Sequence, residues 1–208
     1  MQTTGPRCGI LSLVPGKKST PPIDSSVVRA RLERAKDDRL MVGVRRWIRR
    51  ADRVEGFVVG IGARWVALAE VDGSVRFDGW TLLRLEDIQA VTVDPDPDSF
   101  TVKALRARSE WPPPSTDVEL DDFRSAVATS AAMAPMTSIF VELDRPDICY
   151  IGAVVSVDAD TLRLLEVDQQ AQWHRKVRPI DASDVTRIDF GGAYEEALAL
   201  VAGPPPKD

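Results

Sequence analysis

The sequence predicts a mainly β chain with helices, an α+β protein in which two tandem five-stranded units are joined by a helical connector. Three observations carry this. Between residues 44 and 93 apolar and polar residues alternate in short segments separated by tight turns. The stretch EGFVVGIGARWVALAEVD at residues 55–72 aligns without a gap on IGAVVSVDADTLRLLEVD at residues 151–168. Between the two copies, proline-rich breaks and helical spacing interrupt the strand pattern.

Residues 1–24 hold Gly5-Pro6, Pro15-Gly16 and Pro21-Pro22 with no sustained period, the pattern of a disordered segment. Ser25 or Ser26 is placed to cap a helix over about 26–40, in which Val28, Leu32, Ala35 and Leu40 keep a loose helical spacing. Strands are predicted over 44–50, 53–61, 64–71, 76–85 and 88–93. Ala51-Asp52, Gly62-Ala63, Asp72-Gly73 and Glu86-Asp87 separate them, connections short enough for an antiparallel meander. Five short strands with tight turns predict a small barrel, so residues 25–96 read as a helix plus the first barrel.

Asp94-Pro-Asp-Pro-Asp98 ends that sheet, because proline lacks the donor a strand ladder needs. Residues 97–137 read as the connector: a helix over 99–110, a stiff Trp111-Pro-Pro-Pro114, and a helix over 117–133. Residues 138–203 read as a second barrel followed by a helix with Tyr194, Ala197, Leu198 and Val201 on one face, stopping at Gly203. A tail, 204–208, remains.

The repeat decides what the glycines of the opening copy mean. Gly60 and Gly62 follow the apolar run Phe57 to Ile61, as glycines of a phosphate-cradling corner would. In the second copy their places are taken by Ser156 and Asp158, within a polar turn, so they read as turn residues. Gly56 and Gly152 persist inside the strand pattern, where glycine permits a bend or a close backbone approach. Trp65-Val-Ala-Leu-Ala69 continues as strand where a dinucleotide fingerprint would open a helix. The identities include Val58/Val154, Leu68/Leu164, Glu70/Glu166 and Asp72/Asp168. With one inserted residue the match runs on through Asp87/Asp184, Val91/Ile188 and Val93/Phe190, and two copies of one module explain it.

This arrangement of a strand bent at glycine, a turn, a strand ending Leu-x-Glu-Val-Asp and a short corner into the last strand resembles the Sm-like and SH3-like small β-barrels. It is also similar to bacterial proteins with two such barrels in tandem, through Asp78-Gly-Trp-Thr-Leu-Leu-Arg84 in one unit and Ile188-Asp-Phe-Gly-Gly-Ala193 at the end of the other. The resemblance covers residues 43–94 and 138–190, and implies a fold and no activity. The glycine-containing RNA-contact signature of Sm proteins is not recognisable here.

Composition narrows the chemistry further. The chain has 208 residues, 44% hydrophobic and 28% charged, ordinary for a globular protein. Apolar runs are too short to span a bilayer, so no membrane association is expected and the chain reads as cytoplasmic. Two cysteines, Cys8 and Cys149, and one histidine, His174, leave little for a disulfide framework or a metal site. No nucleophile elbow appears, and the adjacent pairs Asp121-Asp122 and Glu195-Glu196 point apart on predicted helices. No catalytic residue, metal site or cofactor is expected, and the chain reads as a non-enzymatic binding or scaffold protein acting through barrel surfaces. Its partner is an unidentified protein or a further copy of itself.

The charge is uneven: residues 1–53 carry thirteen Lys/Arg and five Asp/Glu, residues 54–208 fourteen and twenty-seven. Arg45, Arg46, Arg49, Arg50 and Arg53 surround Trp47, a composition that serves RNA through phosphate contacts and base stacking, or a first strand with solvated arginines. Trp65 and Trp80 belong to the first copy alone, the second having Thr161 and Lys176 in their places, and Trp80 with Arg84 is a candidate contact for a protein partner. Asp87 and Asp184 recur before each final strand, where an aspartate holds a corner.

Overall fold

The computed structural model describes residues 24–206. The expected disorder of residues 1–24 lies, but for Asp24, outside the described residues. Four helices accompany ten strands: α1 (Ser25–Asp37), α2 (Phe100–Ala107), α3 (Phe123–Met133) and α4 (Ala193–Ala202). The first five strands are β1 (Met41–Arg46), β2 (Val54–Ile61), β3 (Trp65–Val71), β4 (Phe77–Arg84) and β5 (Ile88–Val93). The second five are β6 (Thr137–Phe140), β7 (Cys149–Val157), β8 (Thr161–Val167), β9 (Trp173–Asp181) and β10 (Arg187–Phe190).

All ten strands join one antiparallel sheet in the order β5-β1-β2-β3-β4-β10-β6-β7-β8-β9. The sheet is not closed on itself. The protein is a mixed α+β fold, and β4 of the first five strands is hydrogen-bonded to β10 of the second. Both sets have the same internal order and the same irregularities. Gly56 faces Glu70 and Gly152 faces Glu166, and the register slips between Val58 and Gly60 in one set and between Val154 and Ser156 in the other.

The close approach at these glycines has a direct steric reason. A Cβ on Gly56 would lie 2.3 Å from the Ala69 carbonyl oxygen, and one on Gly152 2.0 Å from that of Leu165, so only glycine lets the strands converge there. The turn reading holds for Gly62, which lies between β2 and β3 and donates its N–H to the Trp65 carbonyl at 2.9 Å, and needs correction for Gly60. Gly60 lies within β2, and a Cβ on Gly62 would lie 2.3 Å from the Leu120 carbonyl, because the chain after the triple proline crosses there. The Leu120 carbonyl accepts hydrogen bonds from the backbone N–H of Arg64 and of Trp65 (3.2 and 3.0 Å). Residues 117–122 are therefore not helical, and α3 starts at Phe123 rather than 117, with the Asp122 side chain accepting from Ser125 N (2.8 Å) as its cap. Asp121 is exposed but is not a helix residue either, since it precedes α3 and accepts from Ala63 N at 2.7 Å.

Two other boundaries shift for local reasons. The cap of α1 is Asp24, one residue before the serines, and the helix ends at Asp37, after which Arg39 takes φ 50° and turns Leu40 back onto the core. The first strand begins at Met41, three residues earlier than its periodicity implies, because residues 41–44 find partners in β2 and β5. It stops at Arg46, and Arg50 at φ 68° makes the turn where strand was expected. The last strand of the first set spans 88–93 as the alternation predicts.

The largest buried cluster sits across the β4–β10 joint. It combines Trp65, Ala67 and Leu82 from the first set with Leu162, Ile188 and Phe190 from the second, and the connector adds Leu120, Phe123 and Val127. A second cluster places Val28, Leu32 and Ala35 of α1 against Val42, Val58 and Val91. Smaller clusters seat α2 on Phe57 and α4 on Met136 and Val167. Burial at about 25 cal/mol per Å² makes the joint an interior of the fold, since Leu82, Leu164 and Ile188 are all inaccessible to solvent.

Candidate interaction surface at the joint

Arg45 to Arg53 leaves β1 and turns beside the loop that follows β6, and the two together form the rim of an open groove. Trp47, Ile48, Arg49 and Arg50 line one side and Glu142, Leu143 and Pro146 the other, enclosing about 440 Å³. Trp47 is 51% exposed, and its indole N–H donates to the Glu86 carbonyl at 3.2 Å, which fixes one edge of the ring. Leu143 opposite is 47% exposed.

The arginines separate by environment. Arg46 is buried against Glu142 of the second set, with two guanidinium nitrogens on the two carboxylate oxygens, Nη2 to Oε1 at 2.8 Å, and Thr186 Oγ1 donates to the same carboxylate at 2.6 Å. Its Nε has no partner. Arg46 is thus a structural cation at the joint and is not available to a ligand, which corrects its place among the candidate nucleic-acid contacts. Arg45, Arg49 and Arg50 are exposed. Arg50 forms a loose surface pair with Asp147 (3.6 Å), and Arg53 one with Glu55 (3.1 Å), so Arg53 is partly neutralised on the far side of the turn.

Trp80 and Arg84 meet a partner within the chain. Trp80 stacks on Phe190 of β10, with ring centroids 5.5 Å apart and planes at 17°, and donates to the Pro114 carbonyl at 3.3 Å. Arg84 is buried and holds Asp87 through Nε to Oδ2 (2.7 Å) and Nη2 to Oδ1 (3.1 Å), while Nη1 donates to the Ser183 carbonyl at 2.9 Å. Both residues therefore form the internal joint. Asp87 is fully buried at its corner, whereas Asp184 is exposed. The recurrence of aspartate does not recur in contacts, because the second half offers no arginine where Asp181 replaces Arg84.

Registers also revise one alignment. Ala69 faces Trp80 and Leu165 faces Val177, so the residue standing where Trp80 stands is Val177, one place beyond Lys176.

A second polar cluster, absent from the sequence reading, lies near the opposite end of the same joint. Arg187 of β10 donates to Glu70 at 3.1 Å and to Asp189 at 2.7 Å, Thr81 donates to Glu70 at 2.5 Å, and Ser138 donates to Glu195 of α4. Asp78 caps α4 by accepting from Ala193 N at 2.7 Å. Burial pushes the Glu195 carboxyl above its ordinary value of 4.5, with the Ser138 bond opposing it, and burial likewise raises Glu70 against the pull of Arg187. The signal for it in the sequence is a charge inside a strand pattern, as at Arg187, which alternation alone reads as solvent-facing.

Among the described residues no group of three or more His, Cys, Asp or Glu side chains is placed to hold a metal ion. His174 is exposed on β9. No described helix is long and apolar enough to cross a membrane. No family model, curated protein or solved structure matches the chain.

Proposed function

We propose that the chain is a duplicated pair of small β-barrel modules of the Sm-like or SH3-like kind, and that it is a non-enzymatic, cytoplasmic binding or scaffold protein. The shared strand order and the matching register slips support the duplication. The groove around Trp47 is its contact for a protein partner. One observation carries this reading: Trp47 and Leu143, both lining the groove, stay exposed although the neighbouring Arg46 and Ile48 are buried. Aromatic side chains with adjacent arginines are the residues that dominate interface energetics. Trp47→Ala with Leu143→Ser tests it in a quantitative comparison of proteins co-purified with the full chain. Partners lost from the variant but kept by wild type are expected, and an identical set from both would sink the reading.

A second reading is kept because Arg45, Arg49 and Arg50 flank the exposed indole. It assigns the same surface to RNA, through phosphates on the guanidiniums and a base on Trp47. Retention of a mixed RNA probe that falls steeply with salt and disappears on replacing the three arginines with glutamine would support it. Absence of any shift at low salt would end it.

A further inference from the structure

The groove around Trp47 has a counterpart elsewhere on the same chain. Phe100, the first residue of α2, is 76% exposed. Val102 and Leu105 turn the apolar side of α2 onto Phe57, and at about 100° per residue Phe100 lies on the far side of the helix from both. It projects beside the turn Asp94-Pro-Asp-Pro-Asp98, whose carboxylates fix the corner. Asp94 accepts from Asp96 N at 3.0 Å, Asp96 accepts from Asp98 N at 2.9 Å, and Asp94 N is tied to the Met41 carbonyl at 2.9 Å. Asp98 is paired with Arg106, whereas Asp96 is exposed and has no cation beside it among the described residues.

The groove carries the opposite charge. Its Glu142 is neutralised by Arg46, and Asp147 at its rim loosely by Arg50. Arg49, which also lines it, is exposed and has no ion pair or hydrogen bond among the described residues. Trp47 and Leu143 offer apolar surface, and 440 Å³ admits a phenylalanine side chain. Trp47 is as fixed as the acidic corner, since its backbone N–H donates to the Asp87 carbonyl at 3.0 Å and its indole N–H to Glu86. Two preformed surfaces meet at little cost in ordering.

One chain cannot make this contact with itself. The acidic corner lies at the Met41 end of β1 and the groove beyond the Arg46 end, and a strand of six residues at about 3.3 Å each holds them roughly 20 Å apart. The contact is therefore between copies. It uses a different surface on each, which builds an open chain or a ring.

We propose that the protein associates head to tail, the Phe100 corner of one copy entering the Trp47 groove of the next with Asp96 facing Arg49. The proposal rests on the reading of that groove as a protein contact, and it names the occupant as a second copy of this chain.

Sedimentation of the full chain over a range of concentrations tests it. The average mass of the wild type is expected to rise with concentration, and to rise less at high salt. Phe100→Ser, at an exposed site, is expected to keep the wild-type unfolding midpoint and to weaken association by more than about tenfold. Arg49→Glu is expected to weaken it about fivefold, and Arg49→Glu with Asp96→Lys to recover most of that loss. Mixing two variants is the strictest arm. Phe100→Ser keeps its groove, and Trp47→Ala with Leu143→Ser keeps its corner, so each alone is expected to be monomeric and the mixture to stop at a dimer. A monomeric wild type, a Phe100→Ser chain that assembles like wild type, or a mixture that stays monomeric would each overturn the proposal. Assembly abolished by nuclease would overturn it too and give the groove to RNA. A monomeric wild type whose groove variant still loses its co-purified proteins sinks this proposal alone and leaves the groove reading standing.

Discussion

β4 and β9 occupy the same place in their two halves and have opposite fates. In β4, Thr81, Leu82 and Leu83 are fully buried between β3 and β10. In β9, Arg178, Pro179 and Ile180 stand at those positions; the proline is exposed and Arg178 reaches back to Glu166 at 2.5 Å. A strand position does not by itself decide interior or rim. The difference lies in whether each outward residue can donate a hydrogen bond and give up water at low cost, which leucine does and a lysine or proline does not.

The joint that β4 makes can be broken most severely through its buried ion pair. Arg46→Ala leaves Glu142 charged and without its cation, and a loss of about 3–5 kcal/mol is expected in urea unfolding. Replacing both partners with apolar residues of similar volume is expected to cost much less. Leu82→Ala, a cavity in the central cluster, is expected to cost about 2–5 kcal/mol, whereas Pro179→Ala at the matching rim position is expected to stay within about 0.5 kcal/mol. Near-equal effects at these two sites would remove the contrast between the strands.

Gly62→Ala pushes a methyl into the Leu120 backbone and loosens the connector from β3, with an expected cost of about 1–3 kcal/mol. Amide exchange at Trp65, whose N–H is bonded to Leu120, should quicken in parallel.

The smallest effect is expected from pH. Glu195 binds its proton more tightly in the folded state, so its stabilising contribution is complete below pH 4.5 and is lost as pH rises through the raised value. Glu195→Gln keeps a neutral side chain there and is expected to reduce the decline in stability from acid to neutral pH. An unchanged slope would show that the carboxyl is solvated in the folded chain.

What can be read in the sequence is what short stretches decide for themselves. Alternation sets β5, β3 and β2 within a residue, the Gly203 stop sets the end of α4, and the two strand sets share strand order and register slips because side chains two apart face one way whatever lies beyond them. The candidate site was only partly legible. Trp47 with Arg45, Arg49 and Arg50 could be named as exposed candidates from their cluster alone, but nothing within residues 45–53 tells Arg46 apart from Arg45.

Tertiary structure made that distinction by placing Glu142, ninety-six residues away, against one guanidinium and leaving the other in water. It also set Trp80 and Arg84 against an internal partner by adding β10 beside them, drew residues 117–122 out of a helix by offering Leu120 the N–H groups of Arg64 and Trp65, and joined the two strand sets into one open sheet. The reason is common to all four. Periodicity reports which way a side chain points, whereas its burial, its charge partner and its availability to a ligand depend on what a distant segment brings opposite.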